Sequence, residues 1–272
     1  MKIVVSVNEN KHFMQFIKII DWYYSSLKVE IIILLLTDDK NLIKIYKNNN
    51  VIIFKPLKEY DTGIQSKMLR HYYPLSIGKE ETFVVTDIDQ FIINFKKLNI
   101  NKFDGRKIIG FGKNFFDGTE NDGKIPMAPY ITTPNLSRNL FSFDKKLSFE
   151  EFMFKLSEIK NPIDGKENVL KDFEDFSDES LFRLLKINNK VEFQNIDLFL
   201  DRDGDRRIDR TVEWNIKNPN IGKFFWNRIY LTRKQKLDIR NMKYFDVCPP
   251  RPPNKIILKK ILNVAIKELS KY

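Results

Sequence analysis

The sequence predicts an α/β fold with a mostly parallel central sheet, helices on both faces and an irregular C-terminal half. Three observations predict it. Apolar strand-like runs alternate with helical patterns over the first ~95 residues, the order expected of βα units. Those runs are continuously apolar, which suits a sheet covered on both faces. Beyond residue 107 the chain turns rich in Gly, Asn, Asp and Pro, and its regular pattern weakens.

The elements follow in order. KIVVSVN (2–8) reads as a short buried strand ending in a polar turn. KHFMQFIKIIDWYYSSL places Phe13, Phe16, Ile17, Ile20 and Trp22–Tyr23 near helical spacing. VEIIILLLTDD is a second strand, KNLIKIYKNN a short helix, and VIIFKPL a third strand stopped at Pro56. GIQSKMLRHYYPL is helical until Pro74, and ETFVVTDIDQFI is the fourth strand. Residues 107–135 should be loops around one or two strands. SFEEFMFKLSEI opens with Ser148 and Glu151 at capping-box spacing. SDESLFRLLKI is a further helix with Ser177 as cap, and KVEFQNIDLFLD is a strand or hairpin arm. CPPRPP (248–253) is an extended connector. In the last segment Ile257, Leu258, Ile261, Leu262, Ala265 and Leu269 share a helix face, with lysines opposite. The expected organisation is one domain over 1–248, with halves 1–135 and 136–248, and then the connector with its basic helix over 249–272.

Composition narrows the function classes. The 272 residues are 42% hydrophobic and 31% charged, a globular balance rather than a disordered one. A net charge of +11 suits an anionic partner: nucleic acid, a phosphate-bearing substrate or an acidic membrane surface. Cys248 is the only cysteine, so neither an intramolecular disulfide nor a paired-cysteine zinc site can form. That fits a reducing, cytoplasmic setting. No apolar run approaches the ~18 residues of a membrane span, and the first residues lack the pattern of a signal peptide. No zinc-finger spacing, RNP-like aromatic motif or helix-turn-helix indicates a nucleic-acid partner.

The polar strand ends are Asn8, Thr37–Asp38–Asp39 and Asp87–Asp89, and ligands of open α/β sheets sit outside the carboxyl ends of strands. In VVTDIDQF, Asp87 and Asp89 would point the same way on an extended strand. Two like charges at an apolar rim repel, and a divalent cation removes that cost. Oxygen ligands from one or two carboxylates, completed by phosphate and water, suit Mg²⁺ or Mn²⁺. The plainer reading is a solvated turn with Asp89 capping a following helix.

A short first strand, Thr37–Asp38 after the second, a helix bearing Lys67 and Arg70, and VVTDIDQ together resemble the nucleotide-sugar-binding half of GT-A glycosyltransferases. The resemblance spans residues 1–135, with a weaker echo at FSDESLF. It is nearest to small enzymes of large DNA viruses and of bacterial surface-polysaccharide clusters. It implies a GT-A fold with a DxD motif, a Mn²⁺ or Mg²⁺ cofactor, a nucleotide-sugar donor (UDP by default) and a hydroxyl acceptor such as a glycan. By the resemblance Asp89 is the principal metal ligand, and Asp87 contacts the metal, the ribose or both. Val7 and Asn8 line the base, and Thr37 and Asp38 lie at a base or ribose edge. Lys67 and Arg70 face phosphates or the donor sugar, unless they lie on a solvated helix face. Asp178 or Glu179 contacts the acceptor or takes its proton, or else merely compensates a helix dipole. The third metal ligand, often a late histidine in the family, has no counterpart here, since His12 and His71 are both early.

DRDGDRRIDRTVE (201–213) imitates a calcium loop but fails it. Arg206 stands where glycine is needed, and Val212 where a bidentate glutamate is needed. Arg206, Arg207 and Arg210 suit a phosphate clamp, or an internally paired charged loop. Rival classes are a metal-dependent nuclease with the same two acids and a non-catalytic module for anionic ligands. The C-terminal helix would either pack its apolar face on the core or lie on an anionic membrane.

Overall fold

The computed structural model describes residues 1–47, 50–95, 103, 105–111, 129–143, 147–159, 193–196, 230–241, 246–249 and 253–270. Contacts divide the chain into two compact units that interleave in sequence. One comprises Met1–Glu9, Ile32–Asp87 and Phe103–Ile196, and the other Asn10–Ile31, Ile88–Lys102 and Asp197–Tyr272.

The first unit is built on a seven-stranded sheet in the order β3-β2-β1-β4-β7-β6-β8. The strands are β1 (Lys2–Val7), β2 (Glu30–Leu36), β3 (Val51–Phe54), β4 (Phe83–Val85), β6 (Ile108–Phe111), β7 (Tyr130–Thr132) and β8 (Phe193–Ile196). β1 pairs parallel with β4, β2 with β3, and β6 with β8. Among the described pairings, β7 runs antiparallel to both of its neighbours, β4 and β6. The sheet is therefore mostly parallel, as the sequence predicts. β2 is buried on both faces. Ile32, Leu34 and Leu36 of β2 enter one core, while Ile31, Ile33 and Leu35 on the opposite face are equally buried.

The described helices of this unit are α2 (Lys40–Tyr46), α3 (Thr62–Ser76), α4 (Pro134–Phe141) and α5 (Phe149–Ser157). Each is started by a side-chain cap: Asp39, Asp61, Thr133 and Ser148 respectively. Ser148 and Glu151 close the capping box that their spacing predicts. At the start of α3 the Asp61 carboxylate sits so close that a Cβ on Gly63 would meet it at 2.8 Å. The helix also runs two residues past Pro74. Proline removes one N–H, and so near a helix end a single lost hydrogen bond is tolerated. α3 packs on β1, β4, α4 and α5. Phe152 is the centre of the core, with its ring against Tyr72, Phe141, Phe143 and Phe149.

The second unit contains α1 (Lys11–Ser26), β5 (Phe91–Ile92), α6 (Arg233–Arg240), β9 (Asp246–Val247) and α7 (Lys255–Leu269). β5 and β9 pair antiparallel. The predicted fourth strand is thus two short ones, β4 and β5, separated by a turn at residues 88–89. Two adjacent phenols hold β5: Tyr23 donates to the Ile92 carbonyl at 2.8 Å, and Ile92 N–H donates to the Tyr24 hydroxyl at 3.2 Å. The apolar stripe of the C-terminal helix is buried at Ile257, Leu258, Ile261, Leu262 and Ala265. The packed alternative of the sequence reading therefore holds for that face.

Phe152→Ala should destabilise the protein by about 3–5 kcal/mol in urea unfolding, because it removes a ring from a filled core. The exposed neighbour Phe154→Ala should change stability by less than about 0.5 kcal/mol. Burial pushes the Tyr23 and Tyr24 phenols above the ordinary value of 10.0. The folded state therefore holds their protons longer than the unfolded chain does. Their contribution is full below about pH 10 and is lost as pH rises further. Unfolding curves between about pH 8 and about pH 11 should show this decline, flattened in Tyr24→Phe.

Candidate functional site

The site begins with three neighbouring strands. β2, β1 and β4 are adjacent, and their carboxyl ends meet at one edge of the sheet. β1 ends at buried Val7, followed by half-buried Asn8 and exposed Glu9. β2 is followed by buried Thr37 and exposed Asp38. The Thr37 hydroxyl donates to the Glu9 carboxylate, which joins the two strand ends directly. Thr37 Oγ1 also accepts from Asp39 N–H at 3.1 Å. Asp39 in turn caps α2, accepting from Asn41 N–H at 2.7 Å, so the second acid of TDD is structural.

Helix α3 lies beside these ends. Asn8 Nδ2 donates to Thr62 Oγ1 at 3.3 Å, and Ser6 Oγ donates to the Ser66 carbonyl at 2.5 Å. One turn further along, Arg70 Nη1 donates to Asp87 Oδ1. Arg70 is 5% exposed, whereas the Asp87 side chain is 43% exposed. Burial overturns the solvated-face alternative for Arg70, while Lys67 is exposed. The sequence reading left Asp87 to be balanced by a metal and missed that the protein itself supplies a counter-charge. Arginine between Leu69 and His71 on a largely apolar helix was the available signal, since buried arginine needs an acceptor.

Four further hydrogen bonds fix α3 and its approach. Gln65, fully buried, accepts from Leu57 N–H at 2.8 Å and donates to the carbonyls of Leu57 at 2.9 Å and Tyr60 at 2.7 Å. His71 Nδ1 lies 2.9 Å from the Tyr130 hydroxyl, deep in the core, where it is a packing residue.

Asp89 falls in the second unit and is 1% exposed. The chain turns at residues 88–89, so the alternation of an extended strand does not relate Asp87 to Asp89. Nor is Asp89 on a solvated turn, and the next element is β5 rather than a helix. Within this unit Gln90 donates to the Asp246 carboxylate. Asp246 is fully buried and stands opposite Ile92 in the β5–β9 pair. Asp178, Glu179, Arg206, Arg207 and Arg210 lie outside the described residues, as does the calcium-like loop. Among the described residues, no group of three or more His, Cys, Asp or Glu side chains could hold a metal ion. A carboxylate such as that of Asp87 is a hard oxygen donor, the kind that Mg²⁺ or Mn²⁺ takes alongside phosphate and water.

No family model matches the chain, and no curated protein does. Among solved structures, the glycosyltransferase GlyE of Streptococcus pneumoniae TIGR4 aligns with a TM-score of 0.46 and 11% identity. That alignment covers 99% of this chain but 63% of GlyE, so the chain spans under two thirds of that protein's length. The galactosyltransferase LgtC, solved with donor and acceptor sugar analogues, aligns with a TM-score of 0.48 and 12% identity over 97% of this chain and 95% of LgtC. A 4-diphosphocytidyl-2C-methyl-D-erythritol synthase from Anaerococcus prevotii aligns with a TM-score of 0.41 and 13% identity over 72% and 87% of the two chains. At these scores the likeness carries no argument for activity.

The Arg70–Asp87 pair should show itself in stability. Asp87→Asn removes the carboxylate from a buried guanidinium and should cost about 1–2 kcal/mol, discounted from a fully buried pair because Asp87 is partly solvated. A double-mutant cycle with Arg70→Met, read by urea unfolding, should return a coupling of about 1 kcal/mol. A coupling near zero would show that the contact contributes nothing.

Proposed function

We propose that the chain is a glycosyltransferase of GT-A type. It would move a hexosyl or pentosyl group from a nucleotide-diphosphate donor, UDP-sugar by preference, to a hydroxyl acceptor such as a glycan. The observation that carries this reading is the convergence of Asn8, Thr37 and Asp87 at the carboxyl ends of three adjacent strands. Such an edge is where open α/β sheets bind their ligands. The sequence resemblance supplies the nucleotide-sugar chemistry that fits this edge.

In this reading Val7 and Asn8 line the base, and Thr37, oriented by Glu9, presents a fixed oxygen to the base or ribose together with Asp38. Asp87 and Asp89 hold Mn²⁺ or Mg²⁺. When bound, that ion supplies charge neutralisation for the departing diphosphate. Arg70 holds one oxygen of the Asp87 carboxylate and so fixes its orientation. Lys67 reaches towards the phosphates from the exposed face of α3. Arg206, Arg207 and Arg210 clamp them with guanidinium donors. Asp178 or Glu179 accepts the proton lost by the acceptor hydroxyl as its oxygen bonds to the anomeric carbon and the bond to the diphosphate breaks.

A thermal-shift panel tests this. One of UDP, GDP or dTDP should raise the melting temperature in the presence of Mn²⁺ and not without it, and Asp89→Ala should abolish the shift. DNA cleavage by the wild-type protein with no response to any nucleotide would replace the transferase reading with a nuclease.

A further inference from the structure

The second unit carries a solvent face that the sugar-transfer reading does not use. In α7 the apolar stripe is buried, which leaves Lys255, Ile256, Lys259, Lys260, Asn263 and Lys267 exposed. α6 packs on α7 and is exposed at Arg233, Lys234, Lys236, Leu237 and Arg240. The two helices contain only two acids. Asp238 is buried, and Glu268 is turned into an ion pair with Arg240 at 3.8 Å, its own side chain 12% exposed. The exposed faces of both helices are therefore cationic, with no exposed carboxylate on either.

Large apolar side chains are also exposed on these two helices and their lead-in. Leu237 is 52% exposed, Ile256 56% and Tyr230, just before α6, 61%. These are three of only six exposed large hydrophobic residues among all those described. Such a concentration within two packed helices and their lead-in separates the face from an ordinary solvated one.

We propose that the α6–α7 face docks the protein on an anionic lipid bilayer. The charges select an anionic surface, since each lysine or arginine close to it contributes favourably within a screening length. The interspersed tyrosine, leucine and isoleucine decide between anionic surfaces. Their side chains can enter the headgroup region of a bilayer, where an aromatic ring with a polar tip is well placed. A phosphate backbone offers them nothing. The mode differs from that of a free amphipathic helix: the apolar face of α7 stays in the core, and contact is made by its lysine face and by α6. No described helix is long and apolar enough to cross the membrane, so the attachment is peripheral and reversible by salt.

Co-sedimentation with vesicles tests the proposal, with no nucleotide or metal present, so its outcome is independent of the transferase reading. The full chain should pellet with phosphatidylcholine vesicles containing phosphatidylglycerol and not with phosphatidylcholine alone. Raising salt from about 0.1 M to about 1 M, where the screening length drops from ~10 to ~3 Å, should release it. Lys255→Glu, Lys259→Glu and Lys267→Glu together should weaken binding at least about tenfold. Because these side chains are exposed, the variant should melt with the wild type. Lys→Gln at the same positions gives the result without charge reversal should the first variant fold poorly. Leu237→Ser with Ile256→Ser should weaken vesicle binding further and leave any association with duplex DNA unchanged. Equal binding to neutral vesicles, or full binding by the lysine variants, would overturn the proposal. So would retention of duplex DNA without vesicle binding, which would make nucleic acid the partner of this face.

Discussion

Helix α3 is buried on nearly every side, and that single constraint organises the first unit. A buried helix must satisfy its polar side chains from within. Here the contacts are spread over the surrounding elements. Gln65 holds the approach from β3, Ser66 receives the hydroxyl of Ser6 on β1, and Arg70 meets Asp87 beyond β4. His71 meets Tyr130 on β7, and Tyr72 donates to the Leu147 carbonyl at 2.7 Å, just before α5. Apolar packing alone would let the helix slide or rotate at little cost. This set of directional contacts fixes its register against four strands and loops at once. The candidate site inherits that rigidity, because Arg70 and Thr62 reach the strand ends from the same helix.

The regular βα half was legible because its signal is redundant. Each strand is a continuous apolar run and each helix has the right period, and the caps at Asp39 and Asp61 agree with the boundaries. The errors arose where elements are short. Three residues of β4 and two of β5 cannot show a period, so they were merged across the turn between them. Helices α4 and α6 were missed although their starts are written in the chain. Thr133–Pro134 places proline at the first helical position after a capping threonine, and Thr232 with Gln235 forms a capping box. Both helices are only eight residues long, too short for periodicity to carry them. Cap chemistry was the better guide there.

The site was legible in part for a related reason. Strand-end placement is a property of the local sequence, and it correctly brought Asn8, Thr37 and Asp87 to one edge. Partnership across sixteen or more intervening residues is not local. Nothing in the sequence near Thr37 announces Glu9, and nothing near Gln90 announces Asp246, which follows 156 residues later. Such pairs are fixed by strand order, and strand order became known only with the fold.

The Arg70 contact changes the electrostatic argument for Asp87. Two adjacent acids at an apolar rim look, from sequence, like a charge that only a cation can offset. The structure supplies part of that offset internally, through the Arg70 guanidinium. An ionised carboxylate has about four acceptor positions across its two oxygens, and one guanidinium N–H occupies a single position. Its side chain is also partly open to solvent, while the guanidinium that holds it is not. A carboxylate anchored on its inner oxygen and open on its outer one is pre-oriented, and it loses little side-chain freedom when something binds. Reducing the cost of ordering a ligand in advance is what distinguishes a prepared site from a solvated turn. Against that gain stands the charge of the guanidinium itself, which repels a second cation at the same carboxylate.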